Sequence, residues 1–170
     1  GKAVMRGAKR AMVVVDMPFG SCEGPPEVVF ANAVRILQET GAQAVKIECA
    51  SAVTGNVRYL VERGVPVMGH VGLRPPAMLS EGGLRARGRE AEEREQVLDE
   101  MRRAVEAGVF ALVIEGVAEA LASEINAQCT VPTIGIGAST ACDGQILVTE
   151  DMLGLFERSP RFVRRCGDLR

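Results

Sequence analysis

Tryptophan is absent from the 170-residue sequence, tyrosine and histidine occur once each, and aromatic residues make up only 4% of it. Recognition of nucleic acid by stacking bases on aromatic rings is therefore not a mode of work open to this chain. The formal net charge is -2, so no strong field favours nucleic acid or an acidic membrane surface either. No apolar run approaches the length of a membrane span. The basic start (Lys2, Arg6, Lys9, Arg10) leads into AMVVV, which Asp16 cuts short, and this supports neither export nor insertion. The five cysteines, Cys22, Cys49, Cys129, Cys142 and Cys166, are odd in number and widely spaced, with no CxxC and no His-paired metal pattern. Reduced thiols in a cytoplasmic protein are the expectation.

What is present is a core-forming chain, 47% hydrophobic and long enough for one domain or part of one over 1–170. Three segments, ETGAQAVKIE (39–48), ERGVPVMGH (62–70) and EAGVFALVIEG (106–116), each place a glutamate two residues before a glycine and then a short apolar strand. Each glycine suits the end of a helix. Helical stripes precede them: Val29, Ala33, Val34 and Leu37 after Pro25–Pro26, then Val53, Val57, Leu60 and Val61, then Val97, Leu98, Met101, Ala104 and Val105. A fourth helix is predicted near 117–128, and the charge-rich run 85–106 reads as a loop entering a solvated helix. Strands are predicted near 11–15, 44–48, 65–69, 109–114 and 131–136, with a shorter one at 145–148. Alternation of strand and helix without hairpin signals means right-handed crossovers and a parallel sheet.

Polar residues fall where such a sheet does chemistry. Asp16, Lys46, Glu48, His70, Glu115 and the GIGAS turn (135–139) lie at or just past the C-terminal ends of successive strands. Nearly every strand contributes, which favours a (β/α)8 TIM-barrel type over a doubly wound sheet with one switch point. Residues two apart on a strand share a face, so Lys46 and Glu48 point together into the barrel mouth while Val45 and Ile47 meet the helices. An ion pair serving structure alone is the competing explanation for Lys46 and Glu48. Three carboxylates with a lysine and a histidine suit Mg2+, which takes one or two protein carboxylates and leaves room for water and substrate. Asp16 and Glu48 are the natural ligands, and Glu115 is placed to take a proton α to a carbonyl.

The segments VVVDMPFGS (13–21), AVKIE (44–48), RGVPVMGHVGL (63–73), GGLRARG (82–88), AGVFALVIEGV (107–117), VPTIGIGAS (131–139) and CDGQILV (142–148) resemble, in order, those of the ketopantoate hydroxymethyltransferase family, and the likeness continues through RFVRRCGDL (161–169). The resemblance implies a (β/α)8 barrel of the phosphoenolpyruvate mutase/isocitrate lyase type. It also implies transfer of a one-carbon unit from 5,10-methylenetetrahydrofolate to 3-methyl-2-oxobutanoate, giving 2-dehydropantoate for pantothenate and coenzyme A. By position it makes Asp16 and Glu48 ligands of Mg2+, Asp16 and Lys46 contacts to the keto acid, His70 a residue lining the substrate pocket, and Glu115 the proton acceptor. A cytoplasmic homo-oligomer working on small molecules is implied, with no nucleic acid and no membrane as partner.

The sequence departs from the family pattern in places. A complete barrel needs about 250 residues, so about six of eight strands are expected here, without the family's N-terminal Gly-Asp-Ser turn. The chain begins with Gly1, and a shortened chain is expected to be at best a poor catalyst. Cys49–Ala50 replaces two glycines, Arg74-Pro75-Pro76-Ala77 replaces most of a Thr-Pro-Gln-Ser turn, and Leu84 and Arg87 replace a tyrosine and a glutamine. The alternatives are a related magnesium-enolate carbon–carbon bond enzyme and a remnant acting only in assembly. For GIGAS, close approach of neighbouring chain is favoured over phosphate binding, because no lysine follows at P-loop spacing. Catalysis by Cys49 is the weakest reading, since His70 alone does not make a dyad.

Overall fold

The computed structural model describes residues 1–74 and 85–170. Among them, six strands form one sheet: β1 (Val14–Asp16), β2 (Ala44–Glu48), β3 (Val67–Gly72), β4 (Ala111–Glu115), β5 (Thr133–Ile136) and β6 (Gly144–Gln145). Their spatial order equals their chain order and every neighbouring pair is parallel. The helices are α1 (Lys2–Gly7), α2 (Pro26–Thr40), α3 (Thr54–Glu62), α4 (Ala91–Glu106), α5 (Glu119–Gln128) and α6 (Thr149–Met152). Each crossover advances one strand in the same direction, which builds a half-barrel with β1 and β6 as its edges.

The repeated Glu-x-Gly unit does what its chemistry dictates. Gly41 ends α2 in the left-handed region at φ 75°, and its N–H donates to the Leu37 carbonyl at 2.9 Å. Gly64 (φ 83°) and Gly108 (φ 92°) turn the chain in the same way two residues after α3 and α4 end. At the other end of α2, Pro26 occupies the first turn, where its missing N–H has no helical partner to lose.

The helix-facing sides of β2, β3 and β4 carry Val45, Ile47, Val67, Val71, Leu112 and Ile114, all at most 1% exposed. They pack with Val29, Val57, Leu60, Met101, Leu121 and Ile125 of the helices in one core. Burial of each such side chain contributes roughly 1.5–3 kcal/mol, and their alternation fixes which residues face the other way.

Several boundaries differ from those predicted. Strands start later than expected because Val13, Val65 and Val109, though at most 8% exposed, lie in the approach to the ladder rather than in it. β3 runs on to Gly72 because it pairs with β4 on one side as far as Glu115. The strand expected at 145–148 shrinks to Gly144–Gln145, since Ile146, Leu147 and Val148 lie beyond its last pairing with β5 and are 45%, 38% and 45% exposed. α1 and α6 were not anticipated from the sequence. α4 is not wholly solvated either: Glu100 within it is 1% exposed.

Candidate active site

Register brings the polar strand ends together. Asp16 pairs with Lys46, Glu48 with His70, and Gly72 with Glu115, so the side chains climb diagonally across the sheet. Lys46 Nζ lies 2.8 Å from Asp16 Oδ2 and 3.4 Å from His70 Nδ1, and His70 Nε2 lies 3.4 Å from Glu115 Oε2. Gly72 permits this convergence. Its φ is +100°, and a Cβ there would lie 2.3 Å from the Glu115 carbonyl oxygen.

These residues line one cavity of about 280 Å3, together with Met17, Pro18, Phe19, Cys22 and Glu23. All five site residues anticipated from the sequence therefore meet in one place: Asp16, Lys46, Glu48, His70 and Glu115. The loop residues 17–23 were not singled out, although their position directly after Asp16 was a usable signal, because loops after strands build the pocket in parallel α/β proteins. His70 is 1% exposed and offers the cavity little surface, so most of its contact is with Lys46 and Glu115.

The electrostatics follow from burial and proximity. Burial, the Lys46 ammonium and the Arg74 guanidinium push His70 down to about 3, so the imidazole is neutral at ordinary pH. With Nδ1 facing an ammonium it accepts there, which leaves the ring proton on Nε2, an atom that has no hydrogen-bond partner among the described residues and lies 3.4 Å from Glu115 Oε2. Burial raises Glu115 above the usual carboxylate range, with Lys46 opposing and Asp16 adding. Glu48 is raised by burial first, with Lys46 opposing and Asp16 adding. Acid–base chemistry benefits from a buried carboxylate held toward neutrality.

Among the described residues, no group of three or more His, Cys, Asp or Glu side chains is arranged to hold a metal ion. Asp16 and Glu48 form a smaller, all-oxygen set, and such a set fits Mg2+, which needs few protein carboxylates. A cation between them also offsets the burial and repulsion that raise Glu48. The residues present thus fit that ion.

Other sequence features find structural explanations. Cys49 is 1% exposed, and burial pushes its thiol up to about 11, so it offers no nucleophile. Arg74 Nη1 lies 3.7 Å from Glu100 Oε1. Arg87 is 8% exposed and donates to the Gly72 carbonyl at 3.3 Å and to Gln96 Oε1 at 2.9 Å, bracing the end of β3 against α4. Pro75, Pro76, Ala77 and Leu84 lie outside the described residues. In the GIGAS turn, a Cβ at Gly137 would lie 2.5 Å from the Phe162 ring, so that glycine makes room for an aromatic neighbour. Ser139 shares a 2.8 Å hydrogen bond with Ser123 and accepts from the Ala141 N–H.

No described helix is long and apolar enough to cross a membrane. Among solved structures, phosphonopyruvate hydrolase is similar over 79% of this chain and 48% of its own, with TM-score 0.54 and 15% identity. A conserved protein from Geobacillus kaustophilus is similar over 89% of this chain and 74% of its own, with TM-score 0.56 and 17% identity. Likeness of this kind establishes the fold, an incomplete (β/α) barrel. Sequence comparison goes further. The 3-methyl-2-oxobutanoate hydroxymethyltransferase of Phenylobacterium zucineum is 64% identical over 170 residues, and that of Caulobacter vibrioides 62% identical over 170 residues, each match covering 100% of this chain. The chain spans about 62% of the length of these relatives. The ketopantoate hydroxymethyltransferase profile matches residues 1–170, the same span that carries the strand-end carboxylates and the lysine–histidine link, and the chain belongs to that family.

Proposed function

We propose that the chain carries the proton-abstracting site for hydroxymethyl transfer from 5,10-methylenetetrahydrofolate to 3-methyl-2-oxobutanoate, with 2-dehydropantoate as product. One observation carries this reading: a raised Glu115 carboxylate shares a cavity with Asp16, Lys46 and Glu48 and lies 3.4 Å from the buried His70. The substrate has a single proton at C3, next to its 2-oxo group.

Lys46 supplies positive charge for the keto acid, and its pairing with Asp16 fixes where that charge stands. Glu115 takes the C3 proton, and the electron pair of that bond moves into the enolate. His70 Nε2 makes no hydrogen bond among the described residues and lies 3.4 Å from Glu115 Oε2, so the ring stands beside the carboxylate and leaves its lone pairs for the substrate. C3 then bonds to the methylene carbon of the folate, both of whose bonds to nitrogen break during the transfer; water supplies the hydroxyl oxygen, and the C3 proton and one proton of that water end on the two nitrogens, releasing tetrahydrofolate. Asp16 and Glu48 would hold Mg2+, which when bound supplies Lewis acidity to the keto acid oxygens.

The free cysteines suit a reducing cytoplasm, and the family likeness suits a homo-oligomer. The function is tested without folate by following exchange of the C3 proton of 3-methyl-2-oxobutanoate for deuterium. Exchange that depends on Mg2+ is the expected result. No exchange, or exchange indifferent to Mg2+, contradicts the reading.

A further inference from the structure

The cavity has two unlike sides. Its charged and polar groups, Glu23 apart, are presented by the ends of β1 to β4, whereas every apolar residue lining it, Met17, Pro18, Phe19 and Cys22, comes from the single loop between β1 and α2. A 2-oxo acid has the same division. Its carboxylate and 2-oxo group suit the strand ends, and among the described residues its alkyl end has this loop to meet.

The loop is clamped from outside the cavity. Asn56 of α3, itself 8% exposed, donates through Nδ2 to the Cys22 carbonyl at 2.8 Å and to the Gly24 carbonyl at 3.0 Å. Asn32 of α2 donates to the Ser21 carbonyl at 3.1 Å. The Met17 N–H reaches the Lys46 carbonyl at 3.0 Å and fastens the loop's first residue to β2. Inside the loop, Glu23 Oε2 accepts from the N–H groups of Gly20 and Cys22 at 2.9 and 3.0 Å, and Gly20 turns the chain at φ +86°. Both amide hydrogens of Asn56 are thus spent on one loop.

We propose that the β1–α2 loop selects the branched alkyl end of the keto acid and that Asn56 is the positioning residue that holds this apolar wall at the distance the substrate requires. The proposal rests on the enolising reading above and deepens it. Asn56 does not line the cavity, so it acts through Cys22 and Gly24 and not on the substrate. Moving the wall changes the fit of methyl groups while leaving Glu115, Lys46 and the strand ends in place, which separates binding of the alkyl group from proton transfer.

Asn56→Asp tests this, because the carboxylate has the same shape but replaces both donors by an acceptor. In C3 exchange, KM for 3-methyl-2-oxobutanoate is expected to rise about tenfold, against about twofold for 2-oxobutanoate, which is one methyl smaller, with kcat for both nearly unchanged. Backbone amides of residues 19–24 should exchange hydrogen faster in the variant while those of the strands do not. An equal rise for both acids, or unaltered amide exchange in the loop, overturns the proposal. If Asn56→Asp does not fold, Asn32→Ala removes only the half-buried Ser21 contact and should shift the KM ratio in the same direction by a smaller factor; an unchanged ratio there overturns it as well. If the unaltered protein exchanges neither acid, it is the enolising reading that fails, and the ratio of the two acids' Kd values by titration calorimetry, in the unaltered protein and the same variants, decides the role of the loop.

Discussion

His70 Nε2 stands 3.4 Å from Glu115 Oε2 across the junction of β3 and β4, and the same imidazole meets Lys46 Nζ through Nδ1 at 3.4 Å. One neutral ring, 1% exposed, therefore stands between Lys46, the proposed contact to the keto acid, and Glu115, the proposed proton acceptor.

Glu115→Gln keeps the shape and the contact to His70 but removes the base. C3 exchange should fall by about 10²–10⁴, the usual contribution of a positioned general base, while the Kd for 3-methyl-2-oxobutanoate in Mg2+ stays nearly constant. Parallel loss of binding and exchange would assign Glu115 to substrate or metal binding instead.

Asp16→Asn acts differently, because Asp16 pairs with Lys46 at 2.8 Å and is also a proposed ligand of the cation. Mg2+ and keto acid binding should weaken together, each by about tenfold or more, since one charge-assisted contact is commonly worth 1.5–3 kcal/mol. Titration calorimetry showing unaltered Mg2+ affinity in this variant would remove Asp16 from the ligand set.

Much of this site was legible beforehand. The alternation of Lys46 and Glu48 with Val45 and Ile47 gave the face, and the recurrence of Asp16, His70 and Glu115 at strand ends gave the rim, because both follow from the two-residue period of a strand. The placement of His70 between Lys46 and Glu115 was not legible, since diagonal contact between β2, β3 and β4 depends on register, and register is set by the pairing of distant segments. The apolar wall of Met17 to Cys22 was missed for another reason: its position depends on Asn32 and Asn56, side chains that look like ordinary helix-surface residues in the sequence. The short β6 was overestimated, as an apolar run does not reveal whether a partner strand lies alongside.

The pH dependence has two parts of opposite sign. Glu115 must be ionised to act, and its upward shift through burial places the rising limb of the exchange rate above the ordinary value of 4.5. The same shift means the folded protein holds that proton more tightly than the unfolded chain, so this source of stability is lost as pH rises through the limb. His70, held at about 3 against 6.5, works the other way: its contribution is present above pH 6.5 and is lost as pH falls toward 3. Urea denaturation across that acid range should show a shallower loss of stability in His70→Gln than in the unaltered protein, and identical slopes would contradict the buried neutral histidine.

Gly72→Ala should damage the site through the backbone. Its φ of +100° disfavours any Cβ, and the added atom would lie 2.3 Å from the Glu115 carbonyl oxygen and 2.5 Å from Val117 Cγ2. A loss of about 1–3 kcal/mol in chemical denaturation is expected from strain of this kind, with a drop in exchange rate as Glu115 shifts. Unchanged stability and exchange would show that β3 and β4 can part without cost at this point.

The account stands most directly on who removes the proton at C3. Following the methine signal of 3-methyl-2-oxobutanoate by NMR in D2O with Mg2+, side by side for the unaltered protein and Glu115→Gln, measures that step alone. The account predicts that the signal is lost with the unaltered protein and persists with the variant, although both bind the keto acid. Equal loss of the signal in the two samples would contradict it.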